Sequence, residues 1–90
     1  MVVHAYVLFK VSSGSEREIC KKMVDYDGVL ESSIVYGEYD LIAKIKTENL
    51  NQLEGLIEKI RTIPSIVLTS TMIVARAYKG KTERNIRPKN

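Results

Sequence analysis

Hydrophobic and polar residues alternate along this chain with two different periods, and each period predicts one kind of element. Four segments are rich in β-branched and aromatic residues, a composition typical of strands. They are residues 2–11, 29–36, 39–47 and 65–78. Two further segments, residues 15–27 and 50–60, place apolar side chains three or four positions apart, which predicts two amphipathic helices. The apolar stripe of the first helix consists of Ile19, Cys20, Met23 and Val24.

Short motifs predict where the helices begin and end. Ser15 and Glu18 have the spacing of a capping box, in which the hydroxyl accepts from one backbone amide and the carboxylate accepts from the other. Gly28 is expected to end the first helix. Asn49 is the expected cap of the second helix, and Pro64 ends it because proline removes a backbone donor.

The order of the elements is strand, helix, strand, strand, helix, strand. Strands joined through a helix cross over with a right hand, so both helices lie on the same face of a four-stranded antiparallel sheet. This predicts an α+β fold, the ferredoxin-like βαββαβ sandwich. The other sheet face stays open and carries Tyr6, Leu8 and Ile42. Its area, on the order of 300 Å², is that of an interface patch, so we expect at least a dimer, paired sheet on sheet, of the dimeric α/β barrel type.

Composition excludes several classes of protein. With 44% hydrophobic residues, 5 glycines and 2 prolines, the chain is expected to fold. Its longest stretch without a charge, residues 62–75, is shorter than a membrane span, and no cationic stretch precedes the first strand as in a signal peptide, so a cytoplasmic location is expected. One cysteine, Cys20, and one histidine, His4, provide neither an internal disulfide nor a zinc site. No metal or cofactor is expected.

The net charge of +3 is concentrated at the end of the chain. Residues 1–78 contain 9 basic and 10 acidic residues, whereas residues 79–90 contain 5 basic residues and 1 acidic residue. We therefore divide the chain into one domain, residues 1–79, and a basic C-terminal tail, residues 80–90. The domain lacks the basic balance of a nucleic-acid-binding protein, and its third strand lacks the aromatic pattern on which RNA-recognition modules stack bases.

The most specific local motif is Gly37-Glu38-Tyr39-Asp40, between the second and third strands. The spacing of Gly37 and Glu38 predicts a tight hairpin. A glycine there can adopt a positive φ and let a ligand approach backbone amides, and the Asp40 carboxylate can hold an ammonium group. The alternative is a purely structural turn with an exposed acid.

Hydroxyl groups interrupt the otherwise apolar fourth strand. Strand alternation sends Thr69 and Thr71 to one face and Ser70 to the other. The two threonines are either ordinary strand residues or a pair of donors for a carboxylate. The residues alone favour the first interpretation.

An enzyme is the rival interpretation of the same fold. Small dimeric ferredoxin-like oxygenases and isomerases use a histidine and a tyrosine in the sheet cavity, and His4 with Tyr6 would take these roles. The sequence identifies no residue that orients His4. Cys20, on the apolar side of the first helix, is expected in the core rather than as a nucleophile.

Residues 3–79 resemble the effector-binding domain of the Lrp/AsnC (feast/famine) transcription regulators, the RAM domain. The resemblance is carried by short segments spread over the chain. They are residues 5–11 in the first strand, Gly14, residues 37–41, residues 63–67, residues 69–74 and Lys79. Family members carry an N-terminal helix-turn-helix, for which this chain has no room, so it is similar to a stand-alone effector domain.

The resemblance implies dimers that assemble into an octamer or a similar ring, with small amino acids bound in clefts between dimers. The implied ligand-binding residues are Gly37, Glu38, Tyr39, Asp40, Thr69 and Thr71. It implies no catalytic residue. Two outputs are expected, which are amino-acid sensing as a homo-oligomer and joining full-length Lrp/AsnC-type regulators through the same interface. Direct sequence-specific binding of nucleic acid is not expected, and we expect the basic tail to favour solubility.

Overall fold

The computed structural model describes residues 1–81 and shows a four-stranded sheet with two helices. In chain order, the elements are β1 (Val3–Val11), α1 (Glu16–Met23), β2 (Val29–Ile34), β3 (Leu41–Thr47), α2 (Leu50–Arg61) and β4 (Ile66–Ile73). The strands lie in the order β2-β3-β1-β4 and all neighbouring pairs are antiparallel. The predicted ferredoxin-like βαββαβ fold is confirmed. The predicted basic tail lies outside the described residues, except for residues 80 and 81.

Strand β1 is an interior strand of the sheet, between β3 and β4. Val7 lies opposite Ala43 of β3 on one side and opposite Thr71 of β4 on the other. Residues at odd-numbered positions of β1 face the helices, and the remainder, including His4 and Tyr6, face the open side. This alternation buries one face of β1 and leaves the other accessible.

The hydrophobic core lies between the sheet and the helices, which cover β2 and β3. Its main members are Val3, Ala5, Val7, Phe9 and Val11 of β1, Leu41, Ala43 and Ile45 of β3, Ile19 and Met23 of α1, and Leu53, Leu56 and Ile60 of α2. Val24, predicted in the stripe of α1, is 50% exposed because the helix ends one residue earlier. None of the helices within residues 1–81 is long and apolar enough to cross a membrane.

One of the two predicted helix caps is wrong. The Ser15 hydroxyl donates to the carbonyl of Ser12, and the amide of Gly14 donates to the carboxylate of Glu16, so Ser15 and Glu18 form no capping box. The preceding turn takes the Ser15 hydroxyl that the motif would have used. The Asn49 side chain accepts from the Gln52 amide at 2.8 Å, which confirms the cap of α2.

The connection between β2 and β3 is longer than the predicted tight hairpin. Strand β2 ends at Ile34 and β3 begins at Leu41, so residues 35–40 form a loop rather than a two-residue turn. The loop is closed by a hydrogen bond from the Val35 amide to the Asp40 carbonyl at 2.9 Å. Strand β4 also ends earlier than predicted, at Ile73.

Two glycines are expected to respond in opposite directions to substitution by alanine. Gly55 lies in the middle of α2, and a Cβ added there would meet nothing within 4 Å, so Gly55→Ala gains helix propensity and stabilises the protein by about 0.5–1 kcal/mol. Gly28 has φ +99°, and a Cβ there would lie 3.1 Å from Leu56 Cδ2, so Gly28→Ala is destabilising. Thermal unfolding at fixed protein concentration measures both. Equal shifts in the same direction would contradict the prediction.

Candidate functional site

The loop that contains Gly37, Glu38, Tyr39 and Asp40 lies at the end of the sheet where β1 ends and β3 begins. Asp40 is tied to β1 by two hydrogen bonds. Its amide donates to the Phe9 carbonyl at 2.8 Å, and its Oδ2 accepts from the Val11 amide at 3.0 Å. The Asp40 carboxylate is therefore held in one orientation. A carboxylate has about four acceptor sites, so it retains capacity to accept from a ligand.

Gly37 gives the loop an accessible stretch of backbone. Its φ of +146° lies in a region that residues with a side chain rarely adopt, and a Cβ there would meet nothing within 4 Å. Gly37 and Glu38 are exposed, and Tyr39 is half-buried. The loop can thus present its backbone amides to a second molecule.

Thr69 and Thr71 lie on the helix side of β4, as strand alternation predicts. Thr69 lies opposite Phe9 and Thr71 opposite Val7, whereas Ser70 faces the open side opposite Leu8. Thr69 is half-buried and Thr71 is exposed, so the helix side of β4 is less covered than that of β1, where the residues are buried. Both hydroxyls are accessible to a ligand.

A single chain does not bring all the predicted site residues into one pocket. Asp40 and Thr69 lie on opposite sides of Phe9, so one strand separates them and their backbones are about 10 Å apart. Within residues 1–81, none of the principal cavities is lined by both Asp40 and a β4 threonine. The predicted site residues therefore form two separate groups within one chain.

Strand β4 has no buried residue, although its sequence is largely apolar. On the open side, Leu68 and Met72 are each about half exposed, and on the helix side Ile73 is 54% exposed. An uncharged edge strand with apolar side chains exposed on both faces is unusual in a monomer, because such edges associate with other chains. This exposure is typical of an interface strand.

The open sheet face carries the side chains that the sequence predicts there. Tyr6 is 37% exposed, and Leu8 and Ile42 are half-buried. Leu8 and Ile42 lie directly opposite each other on β1 and β3. The prediction that these side chains lie on the open face is confirmed.

His4 and Tyr6 border a cavity of about 530 Å³ at the other end of the open face. No carboxylate lines this cavity within the part of the chain that the structure describes, so His4 has no acidic orienting partner there. Lysines and an arginine line it instead, a concentration of positive charge that was not predicted from the sequence. Its only sequence signal is the alternation of Lys44 and Lys46 along β3, which is equally typical of a solvent-facing strand.

Cys20 lies in an environment typical of a packing residue. It packs against the core while its Sγ lies 3.0 Å from the Ser32 hydroxyl of β2. The thiol is half-buried. This agrees with the prediction that Cys20 is a packing residue. Among residues 1–81, no group of three or more histidine, cysteine or acidic side chains is placed to hold a metal ion.

The fold, the open sheet face and the accessible strand-end loop are those of a small ferredoxin-like domain with surfaces available to other molecules. A sequence model of the Lrp/AsnC ligand binding domain matches residues 4–84, so the chain belongs to the Lrp/AsnC family. The HTH-type transcriptional regulator FL11 of Pyrococcus abyssi (strain GE5 / Orsay) is 35% identical over 83 residues, which cover 92% of this chain and 55% of the regulator. The chain thus spans about half the length of that relative.

Two solved structures of similar size share the fold and much of the sequence. FFRP-DM1 is 46% identical with a TM-score of 0.76, over 80% of this chain and 97% of that one. The hypothetical protein PHS023 from Pyrococcus horikoshii is 44% identical with a TM-score of 0.77, over 87% of this chain and 94% of that one. The predicted family resemblance is confirmed, and the regulatory relatives favour an effector-binding role over an enzymatic one.

Proposed function

We propose that this chain is an amino-acid-binding and oligomerisation module that senses small amino acids. The Asp40 carboxylate binds the α-ammonium group of the ligand. The hydroxyls of Thr69 and Thr71, with backbone amides of the loop at Gly37, bind its α-carboxylate. Glu38 and Tyr39, in the same loop, border the ligand.

The exposure of β4 is the observation that carries this proposal. Its two threonines lie on a strand that has no buried residue in the described part of the chain, residues 1–81. A second copy that packs on β4 would close a cleft around them and exclude water. Hydrogen bonds and ion pairs to a small ligand are stronger in such a cleft than on an open surface.

The bond between Asp40 and Val11 supports the assignment of the ammonium site. Because the Val11 amide fixes Oδ2 at 3.0 Å, the carboxylate needs no reorganisation when a ligand arrives. An ammonium group would then bind with a charge-assisted hydrogen bond, which is about twice as strong as a neutral one. This arrangement favours a zwitterionic ligand over a neutral one.

Assembly follows from two surfaces on different sides of the chain. The open face at Leu8 and Ile42 pairs two sheets into a dimer, and the exposed helix side of β4 joins dimers into a ring such as an octamer. The ligand-binding loop lies beside the contact between dimers and not within the contact that forms each dimer. Ligand binding can therefore alter the assembly of dimers without altering the dimer itself.

The regulatory relatives suggest a partner for this assembly. FL11 is named as an HTH-type transcriptional regulator, and this chain aligns with about half of it. We propose that the chain joins full-length regulators of this type through the same sheet surface and changes their binding to DNA. Mass measurement on a mixture of both proteins tests this. Mixed complexes are expected, and homo-oligomers alone would contradict it.

Replacement of Asp40 separates its ligand role from its structural role. Asp40→Asn keeps an oxygen that accepts from Val11 but removes the charge, so we expect amino-acid binding to weaken at least about tenfold with little loss of stability. Asp40→Ala also leaves the Val11 amide without its acceptor, which costs a further 1–3 kcal/mol or so of folding stability. Native mass spectrometry with each of the twenty amino acids and thermal unfolding measure the two effects.

Asp27→Asn is the matched control for these variants, because Asp27 is exposed at the opposite end of the sheet. It should bind amino acids like the unmodified chain. If none of the amino acids adds mass to the unmodified protein, the sensing proposal is wrong. If Asp27→Asn and Asp40→Asn weaken binding equally, the ammonium site is not at Asp40.

A further inference from the structure

A small cavity beside β4 includes one of the proposed ligand-binding residues. It lies between the end of α2 and the first half of β4, and its lining consists of Arg61, Ile66, Val67, Leu68 and Thr69. Its volume is about 280 Å³, just below the range of about 300–1,000 Å³ that is typical of sites for drug-sized ligands. A cavity of this size suits one polar group at the end of a small ligand.

Arg61 gives this cavity a positive charge. It is the only charged residue in the lining within residues 1–81, and its side chain is exposed. A guanidinium remains charged at any physiological pH and forms two parallel hydrogen bonds with a carboxylate. The cavity therefore has the charge that a carboxylate requires.

Thr69 places two further donors at the same position. The Phe9 carbonyl accepts from the Asp40 amide, so the backbone of Phe9 points toward β3 and away from β4. Thr69 lies opposite Phe9, and it therefore directs its own amide away from β1, toward the edge of the sheet. A carboxylate in this cavity can accept from the guanidinium of Arg61 and from the hydroxyl and the amide of Thr69.

The carbonyl groups at the end of α2 do not cancel the charge of Arg61. The Lys59 carbonyl accepts from the Thr62 amide at 3.2 Å and from the Thr62 hydroxyl at 2.6 Å. The Ile60 carbonyl accepts from the Ile63 amide at 3.0 Å. The remaining partial charge of a helix C-terminus is about half an elementary charge, less than the full charge of a guanidinium, so an anion is attracted on balance.

The cavity extends the proposed amino-acid site along β4. Thr71 and Thr69 lie about 7 Å apart on the helix side of the strand, and the cavity lies beyond Thr69, toward Ile66. A ligand whose α-carboxylate is bound at the two threonines can thus direct its side chain toward Arg61. A second copy that packs on β4 would cover this cavity together with the threonines. An ion pair with Arg61 would be stronger there than on an open surface.

We infer that this cavity selects amino acids with an acidic side chain, namely aspartate and glutamate. The inference rests on the proposed function, in which Asp40 and the two threonines bind the groups that all amino acids share. Arg61 binds the side-chain carboxylate and is the specificity-determining residue. Lysine is disfavoured as a ligand because its ammonium group would meet a like charge at Arg61.

Calorimetric titration of the full chain with glutamate, glutamine and lysine tests this inference, because glutamate and glutamine have nearly the same shape but differ in charge. We expect glutamate to bind at least about tenfold more tightly than glutamine, and lysine to bind more weakly than both. Arg61→Gln should weaken glutamate binding at least about tenfold and change glutamine binding less than about twofold. Arg61→Lys should retain part of the preference, since it keeps the charge but loses the paired hydrogen bonds.

Lys59→Gln is the matched control. Lys59 is also an exposed cation in the last turn of α2, but it lines a different cavity. This variant should keep the full preference for glutamate over glutamine. Asp40→Asn tests the shared part of the site and should weaken glutamate and glutamine by similar factors. Circular dichroism verifies that each variant is folded.

Three results would overturn the inference and leave the proposed function intact. The first is that glutamine binds as tightly as glutamate while Asp40→Asn weakens both. The second is an equal loss of glutamate and glutamine binding in Arg61→Gln, which would place Arg61 at the α-carboxylate. The third is an equal loss of glutamate binding in Lys59→Gln and Arg61→Gln. If none of the twenty amino acids binds, the proposed function itself is wrong and the inference fails with it.

Discussion

Replacement of Leu8 by glutamate is expected to convert the assembly into monomers. Leu8 lies at the centre of the open face, opposite Ile42 of β3 and Ser70 of β4. In a sheet-on-sheet dimer, a carboxylate at this position loses its hydration and meets an apolar surface. We expect the dissociation constant of the dimer to rise by about a hundredfold or more, which corresponds to about 3 kcal/mol.

Sedimentation velocity over a range of protein concentrations measures this change. Because Leu8 is only half-buried in the single chain, circular dichroism should show a folded protein. Val24→Glu is the matched control, since Val24 is an exposed apolar residue after α1, away from the open face. If Leu8→Glu sediments like the unmodified chain, the sheets do not pair at this face.

Replacement of Phe9 by alanine is expected to produce the largest loss of stability. Phe9 is fully buried in the core, and its truncation leaves a cavity that the neighbouring strands can only partly fill. The expected cost is about 3–5 kcal/mol, a large part of the roughly 5–15 kcal/mol that stabilises an ordinary domain.

Urea unfolding at a fixed protein concentration measures this loss, because assembly itself contributes to apparent stability. Phe9→Leu is the conservative comparison and should cost much less, since it retains most of the buried volume. A loss below about 1 kcal/mol for Phe9→Ala would show that the core at this position is loosely packed.

The fold was predictable because its main signals are periodic. Alternation of apolar residues with Lys44 and Lys46 identifies β3 as a half-buried strand, and the stripe through Leu53, Leu56 and Ile60 identifies α2. These patterns depend only on which side of an element faces the core. Element order and the handedness of crossovers then leave few topologies.

The errors occur where a polar group takes a hydrogen-bond partner outside its own motif. From the sequence, Asp40 is expected to be an exposed turn residue. Its carboxylate instead accepts a hydrogen bond from the amide of Val11, which is 29 residues away in sequence. The loop is correspondingly longer than a tight hairpin. Ser15 donates back to the Ser12 carbonyl and therefore does not cap α1. Neither choice of partner can be inferred from spacing within the local motif.

The candidate sites were predictable only in part. Alternation correctly assigns Thr69 and Thr71 to one face of β4. Their accessibility, in contrast, depends on how closely the helices pack over β4, where Thr71 and Ile73 on the helix side remain exposed. The basic cavity escaped prediction because its cations come from segments that are far apart in sequence, such as Lys46 and Arg76.

The exposure of β4 also determines how this domain opens. Strand β4 has no fully buried side chain, and Ile66 is its one residue that packs against the core. Its detachment from β1 therefore exposes less apolar surface than detachment of β3, which buries Leu41, Ala43 and Ile45. In hydrogen exchange, the β4 amides of an isolated chain should exchange through this local opening, well before those of β1 and β3. Packing by a second copy would slow their exchange. The exchange rate of one strand thus reports the state of assembly, and a cell with little of this protein would hold it with an edge strand open to other chains.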